Sequence, residues 1–265
     1  MRKTTTVIYR VLNDAEELAQ ASAEAIAAAA ERSIANRGMA RIAISGGSTP
    51  KRTFQLLADA AHPYRSQVDW IRLQVYWADE RCVPPDNPNS NFHNAWQNLL
   101  SKVPIPDQNI CRIEGELPAE EAAARYESSL RNRFRLEGAE LPQFDLIMLG
   151  LGTNGHTGSL FPHSEALDSM MHLAVSAHVD DTVPWRVSLT WPVINHASQV
   201  VFQVQDGSKA EVLQQVLQGP YQPEVLPSQL IRPQNGELTF LLDRAAASKL
   251  PAPGPDGTGI LELTR

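Results

Sequence analysis

Residues 41–50 read Arg-Ile-Ala-Ile-Ser-Gly-Gly-Ser-Thr-Pro. Arg41 to Ile44 has the composition of a buried strand. Ser45 to Thr49 is a tight polar turn, and Pro50 opens a helix that extends through Leu57. Proline suits a first helical turn because the N–H it lacks would have no intrahelical partner there. A strand that passes through a glycine-bearing turn straight into a helix is the building unit of an α/β fold.

The pattern repeats outward from this stretch. Val7 to Leu12 reads as a strand, Asn13 as a helix N-cap with Glu16 three residues on, and the Ala-rich run to Asn36 as a long helix stopped at Gly38. Downstream, Ile71 to Trp77 reads as a strand, followed by a polar loop over Asp79 to Asn91. Helices are expected at Phe92 to Leu100 and Ala119 to Leu136. The apolar run Phe144 to Leu149 then enters a second glycine-rich loop, Gly150 to Gly158. Further strands are expected at Arg186 to Thr190, Gln199 to Val204 and Leu238 to Leu241, with a helix from Gly207 to about Leu217. Strands alternating with helices imply a mainly parallel sheet covered on both faces. No linker divides the chain. The expectation is one α/β domain over residues 1–250 and a Pro/Gly-rich C-terminal tail over 251–265, whose segment Ile260 to Leu263 retains the pattern to pair. Residues 219–235 are expected to form an irregular surface excursion.

Composition narrows the function. The 265 residues are 43% hydrophobic and 20% charged, ordinary values for a globular domain. The formal net charge is -7 and no dense Lys/Arg run occurs, which argues against nucleic acid as a partner. An acidic chain that binds an anion must gather its cations at one place. The two cysteines, Cys82 and Cys111, lack metal spacing and read as free thiols of a reducing compartment. With no apolar leader and no membrane-length run, the expected location is cytoplasmic, without membrane association.

Ligands of open α/β sheets bind at the carboxyl ends of strands. Three unusual loops stand at such ends. In Ser45-Gly46-Gly47-Ser48-Thr49 the glycines admit an anion close to backbone N–H groups, and the helix N-terminus adds partial positive charge. An ordinary strand-to-helix turn reads equally well. After Trp77, Asp79 and Arg81 are candidates for a sugar hydroxyl and a phosphate, whereas Glu80 reads as a local surface partner of an arginine. Asn87, Asn89, Ser90 and Asn91 read as turn and cap residues. The third loop surrounds His156 with four glycines. A histidine so placed suits a general base; a solvated loop histidine is the alternative. The other six histidines are scattered and read as surface or packing residues, with no zinc triad. Lys209, near a helix start, gains interest only if it points toward the anion site.

Together these blocks resemble the 6-phosphogluconolactonase family: SGGSTP at 45–50, WADERCVPPDNPNSNF at 77–92, FDLIMLGLGTNGHTGSLFP at 144–162, RVSLTWPVIN at 186–195 and GSKAEVL at 207–213. The resemblance spans roughly residues 7 to 248. It implies a Rossmann-like α/β/α fold of the sugar-phosphate isomerase/deaminase type. It also implies hydrolysis of 6-phospho-D-glucono-1,5-lactone, with no metal and no organic cofactor. Carried onto this chain, it implies His156 as catalytic base, supported by Asn154. Ser45, Gly46, Gly47, Ser48, Thr49, Asp79, Arg81, Gly155, Arg186 and Lys209 are implied around the substrate. One departure stands out: the family commonly has Asp where this chain has Asn154, and Asn brings no charge to the histidine. Two alternatives are weighed. A glucosamine-6-phosphate deaminase would carry Glu five residues after the histidine, where this chain has Phe161, and usually Tyr in place of Arg81. A non-catalytic phosphosugar sensor would carry a DNA-binding segment. The oligomeric expectation is monomer or dimer.

Overall fold

The computed structural model of the chain describes residues 4–179 and 181–264. The chain begins with β1 (Thr4–Leu12) and α1 (Ala15–Arg37), then β2 (Ala40–Ile44), α2 (Thr49–Ala58), α3 (Pro63–Gln67) and β3 (Leu73–Trp77). It continues with β4 (Asp79–Arg81), α4 (Asn91–Asn98), β5 (Ile110–Cys111), α5 (Ala119–Phe134), β6 (Leu146–Leu149), β7 (Ala174–His178) and β8 (Trp185–Leu189). The last elements are α6 (Trp191–Asn195), β9 (Gln199–Val204), α7 (Ala210–Gln218), β10 (Glu237–Asp243) and β11 (Thr258–Thr264).

Eight strands form one sheet in the order β11-β1-β10-β9-β6-β2-β3-β5. Every pairing in it is parallel except β1 with β11. All four residues of β6 are buried, so both faces of the sheet are covered at its centre, as parallel sheets require. Helix α1 approaches closely because Ala19, Ala23, Ala27 and Ala30, spaced one helical turn apart, are all buried. Phe202 and Phe240 stack at 4.4 Å on adjacent strands. Tyr76, Phe134 and Phe144 form a second aromatic cluster. Among the described residues no helix is long and apolar enough to cross a membrane.

The structure departs from the sequence expectation in several places. The N-cap of α1 is Asp14, which accepts from the N–H groups of Glu16 and Glu17, while Asn13 bonds the Glu17 carboxylate instead. The first three residues of the expected 79–91 loop are strand β4. It joins β8 and β7 in a separate antiparallel sheet of order β4-β8-β7. Strand β7, Ala-Val-Ser-Ala-His, has too little apolar alternation to announce itself. Residues 219–235 are irregular, but their centre is not on the surface. Leu226, Ser228, Gln229 and Ile231 are buried, and Ser228 N–H donates to Gly155 O, so the segment backs the histidine loop. As expected from its pattern, the segment Ile260 to Leu263 does pair, antiparallel with β1.

Candidate active site

Strands β2, β6 and β9 are neighbours, and the loops leaving their carboxyl ends meet over a cavity of about 280 Å³. Chain order crosses here: β2 lies next to β6, and β6 next to β9. This is the switch-point arrangement at which open α/β sheets bind ligands. The cavity is lined by Ser45 to Pro50, by Gly150 to Gly152 and His156, by Asp79, Arg81 and Asn91, and by Gln203 to Gln205 and Lys209.

The Ser45–Thr49 turn forms one wall of the cavity. Ser45 Oγ donates to Met148 O at 2.9 Å, which ties the turn to the end of β6 and leaves that hydroxyl engaged. Ser48 precedes α2 without capping it through its side chain. Among the described residues, the N–H groups of Gly46, Gly47 and Ser48 donate to no protein acceptor. A Cβ on Gly46 would overlap the Asn91 side chain, so close approach decides that glycine.

The second wall comes from the β4–β8 ladder. Its register sets Asp79 opposite Ser188 and Arg81 opposite Arg186. Asp79 is buried, and its Oδ2 accepts from Ser159 Oγ at 2.8 Å, which links β4 to the histidine loop. Arg81 reaches the cavity and donates to Asn89 O at 2.7 Å. Arg186 lies close by but does not line the cavity, and Asp181 holds its Nη2 at 2.6 Å.

Glu80 corrects the sequence reading. Its side chain is not a surface partner of an arginine; the residue is 2% exposed. Its Oε1 accepts from the N–H groups of Arg81 and Asn91, and its Oε2 from Phe92 N–H and Ser90 Oγ. Burial pushes the carboxyl up to about 7, against three backbone donors that favour the ionised form. Glu80 therefore folds the 79–91 segment back on itself and seats Arg81. Glu80→Gln places an NH2 group against a fixed backbone donor. Chemical denaturation is expected to show a loss of about 1–3 kcal/mol; an unchanged midpoint would count against this role. Asn91, read from sequence as a turn or cap residue, is 2% exposed, lines the cavity and donates to Asp79 O at 2.8 Å. Nothing local distinguishes it from Asn87 or Asn89, because its position depends on the fold-back around Glu80.

The third wall is the histidine loop. Asn154 Oδ1 accepts from His156 backbone N–H at 3.3 Å and lies 2.5 Å from His156 Nδ1. The backbone donor fixes which amide atom is oxygen, and that oxygen can only accept, so Nδ1 carries the proton. Nε2 is then the basic nitrogen. Burial first, and then the charges of Lys209, Arg186 and Arg81, push the imidazole down to about 4, so the ring is neutral near pH 7. Phe161 stacks on it at 4.1 Å between centroids. A Cβ on Gly152 would overlap the same ring. Gly155 has φ 80, and a Cβ there would overlap Leu226; it shapes the loop and does not line the cavity, and neither does the exposed Asn154. Lys209 meets the condition set for it: it faces the cavity, and partial burial lowers its pKa.

The family model described as glucosamine-6-phosphate isomerases/6-phosphogluconolactonase matches residues 13–240. The chain belongs to this family. It is 40% identical over 220 residues to the 6-phosphogluconolactonase of Synechocystis sp., covering 83% of this chain and 88% of the relative. It is 38% identical over 252 residues to the 6-phosphogluconolactonase of Nostoc sp., covering 94% and 99%. The solved structure of 6-phosphogluconolactonase from Trypanosoma cruzi superposes with a TM-score of 0.80 at 30% identity, covering 91% of this chain and 96% of that one. The α/β reading of the sequence holds.

Proposed function

We propose that the chain hydrolyses 6-phospho-D-glucono-1,5-lactone to 6-phospho-D-gluconate, the second step of the oxidative pentose phosphate pathway, with His156 as general base. The observation that carries the reading is a neutral imidazole with Nδ1 tied to Asn154 and Nε2 basic, set among three cations beside an anion cradle. The phosphate sits on the free N–H groups of Gly46 to Ser48 at the start of α2, with the hydroxyls of Ser48 and Thr49 and the charges of Arg81, Arg186 and Lys209 around it. Asp79 faces a sugar hydroxyl.

His156 Nε2 takes a proton from water as the water oxygen bonds to the lactone carbonyl carbon. The negative charge that builds on the carbonyl oxygen is met by the same cationic field that depresses His156. The N–H groups of Gly152 and Gly155 are bonded within the loop, to His156 O and Gly152 O, so they add little there. The carbon–ring oxygen bond then breaks, and the ring oxygen receives the proton held on His156. Phe161 supports hydrolysis over deamination: an apolar ring stands beside the imidazole where isomerisation chemistry needs a second acid/base group.

Lactone hydrolysis above the spontaneous rate, with no ammonia released from glucosamine 6-phosphate, is the expected assay result; the reverse pattern would overturn the proposal. Asn154→Asp sharpens the test. A carboxylate beside Nδ1–H favours the imidazolium and raises the ring pKa by about 1–3 units. The acid limb of the pH–rate profile is expected to rise by that amount, with a faster rate at pH 7 from a stronger base. An unmoved limb would make position 154 a scaffold residue.

A further inference from the structure

Arg81 and Arg186 stand directly opposite each other on antiparallel strands. Like charges in that relation are destabilising unless an anion joins them. Two carboxylates act on Arg186, those of Asp79 and Asp181, and they are held very differently. Asp79 is buried and bonded by Ser159, so it belongs to the framework. Asp181 lies in the turn between β7 and β8. Its side chain is 49% exposed, whereas the Arg186 side chain it contacts is only 6% exposed. One Asp181 oxygen accepts from Thr182 N–H and Oγ, and the other from Arg186 Nη2 at 2.6 Å. Arg186 Nη1 is buried with no partner among the described residues.

We infer that Asp181 is a surrogate anion: in the unliganded protein it occupies Arg186 in place of the substrate's phosphate, and its displacement sets the affinity of the site for phosphorylated ligands. The inference rests on the proposed reading of Arg81 and Arg186 as phosphate ligands. Once released from Asp181, the Arg186 guanidinium can turn toward a phosphate held beside Arg81, whose oxygens are enough to bridge both groups and to give Nη1 the partner it lacks. Asp181 passes to water at small cost because half of its side chain is already there. Asp79 cannot make that exchange. A neutral sugar lactone brings nothing to replace the carboxylate, so the same contact disfavours unphosphorylated ligands. Asp181 thus acts as a competitor for Arg186 and takes no part in the chemistry.

The test is calorimetric titration of inorganic phosphate into the wild type, Asp181→Asn and Asp181→Glu at constant ionic strength, with thermal melts to confirm folding. Asn keeps a hydrogen-bonding oxygen but removes the competing charge, and phosphate is expected to bind about three- to fivefold more tightly. Glu restores the charge and is expected to return the affinity to within about twofold of wild type. Equal or weaker binding by the Asn variant overturns the inference, since Asp181 would then only orient Arg186. Phosphate affinity that does not change on Arg186→Gln overturns both the inference and the assignment of Arg186 as a phosphate ligand. Lactone hydrolysis, measured separately, separates that failure from failure of the proposed activity.

Discussion

His156→Ala is expected to lower kcat for 6-phospho-D-glucono-1,5-lactone by about 10²–10⁴-fold, the usual contribution of a positioned general base and roughly 3–5 kcal/mol of barrier. Phosphate affinity should change little, because the cradle and the cations lie on other elements. The assay subtracts spontaneous hydrolysis, which sets the floor for every variant. The pH profile is the more discriminating readout. An ordinary histidine would place the acid limb near 6.5; His156 places it near 4. Burial opposes the charged ring, and Lys209, Arg186 and Arg81 oppose it further. The catalytic form is therefore complete above about pH 5 and is lost as pH falls through 4. Bound phosphate offsets the three cations and raises that pKa, so the limb for kcat lies above the limb for kcat/KM. Full activity in the Ala variant, or a limb that persists in it, would show that another group is the base.

Gly152→Ala is expected to have the second largest effect. The glycine has no residue-specific chemistry, yet the Cβ of any other residue would overlap the His156 ring. The ring cannot move toward Phe161, which already stacks on it, so it must leave the Asn154 bond or turn out of the cavity. A displacement of about 1 Å from a near-attack geometry costs on the order of 10²-fold. The expected result is a kcat lowered by about 10²-fold in a protein that melts within a few degrees of wild type. Unchanged kcat would mean that the orientation of His156 is not what limits the reaction.

The extent to which the site is readable from sequence differs by residue. Ser45 to Thr49 and Gly150 to Gly158 are contiguous, and each pairs a buried strand with glycines and polar side chains. Their chemistry is local, so the pattern survives without coordinates. Lys209 is the intermediate case: its position just past a strand is local, but whether it faces the cavity depends on β9 lying next to β6. Glu80 and Asn91 could not be read. A charged residue beside an arginine in a polar stretch has the appearance of a surface pair, and only the fold-back that brings Asn91 and Phe92 onto Glu80 buries it. Likewise Asp181 carries no motif and matters solely through Arg186. The 219–235 segment has the composition of a surface loop, but its apolar and small residues close against Gly155.

By itself the sequence determined the alternation of strands and helices, the two glycine turns and the histidine with its Asn neighbour. Those features arise from hydrophobic period, backbone freedom and side-chain chemistry over a few residues, and need no long-range contact to be specified. Tertiary structure alone decided which strands are neighbours, and so which loops share a cavity. It also decided the opposition of Arg81 and Arg186, the burial of Glu80 and the neutral state of His156. The reason is that burial and charge are set by residues distant in the chain: His156 takes its lowered basicity first from burial and then from Lys209, Arg186 and Arg81, none of which lies within its own loop.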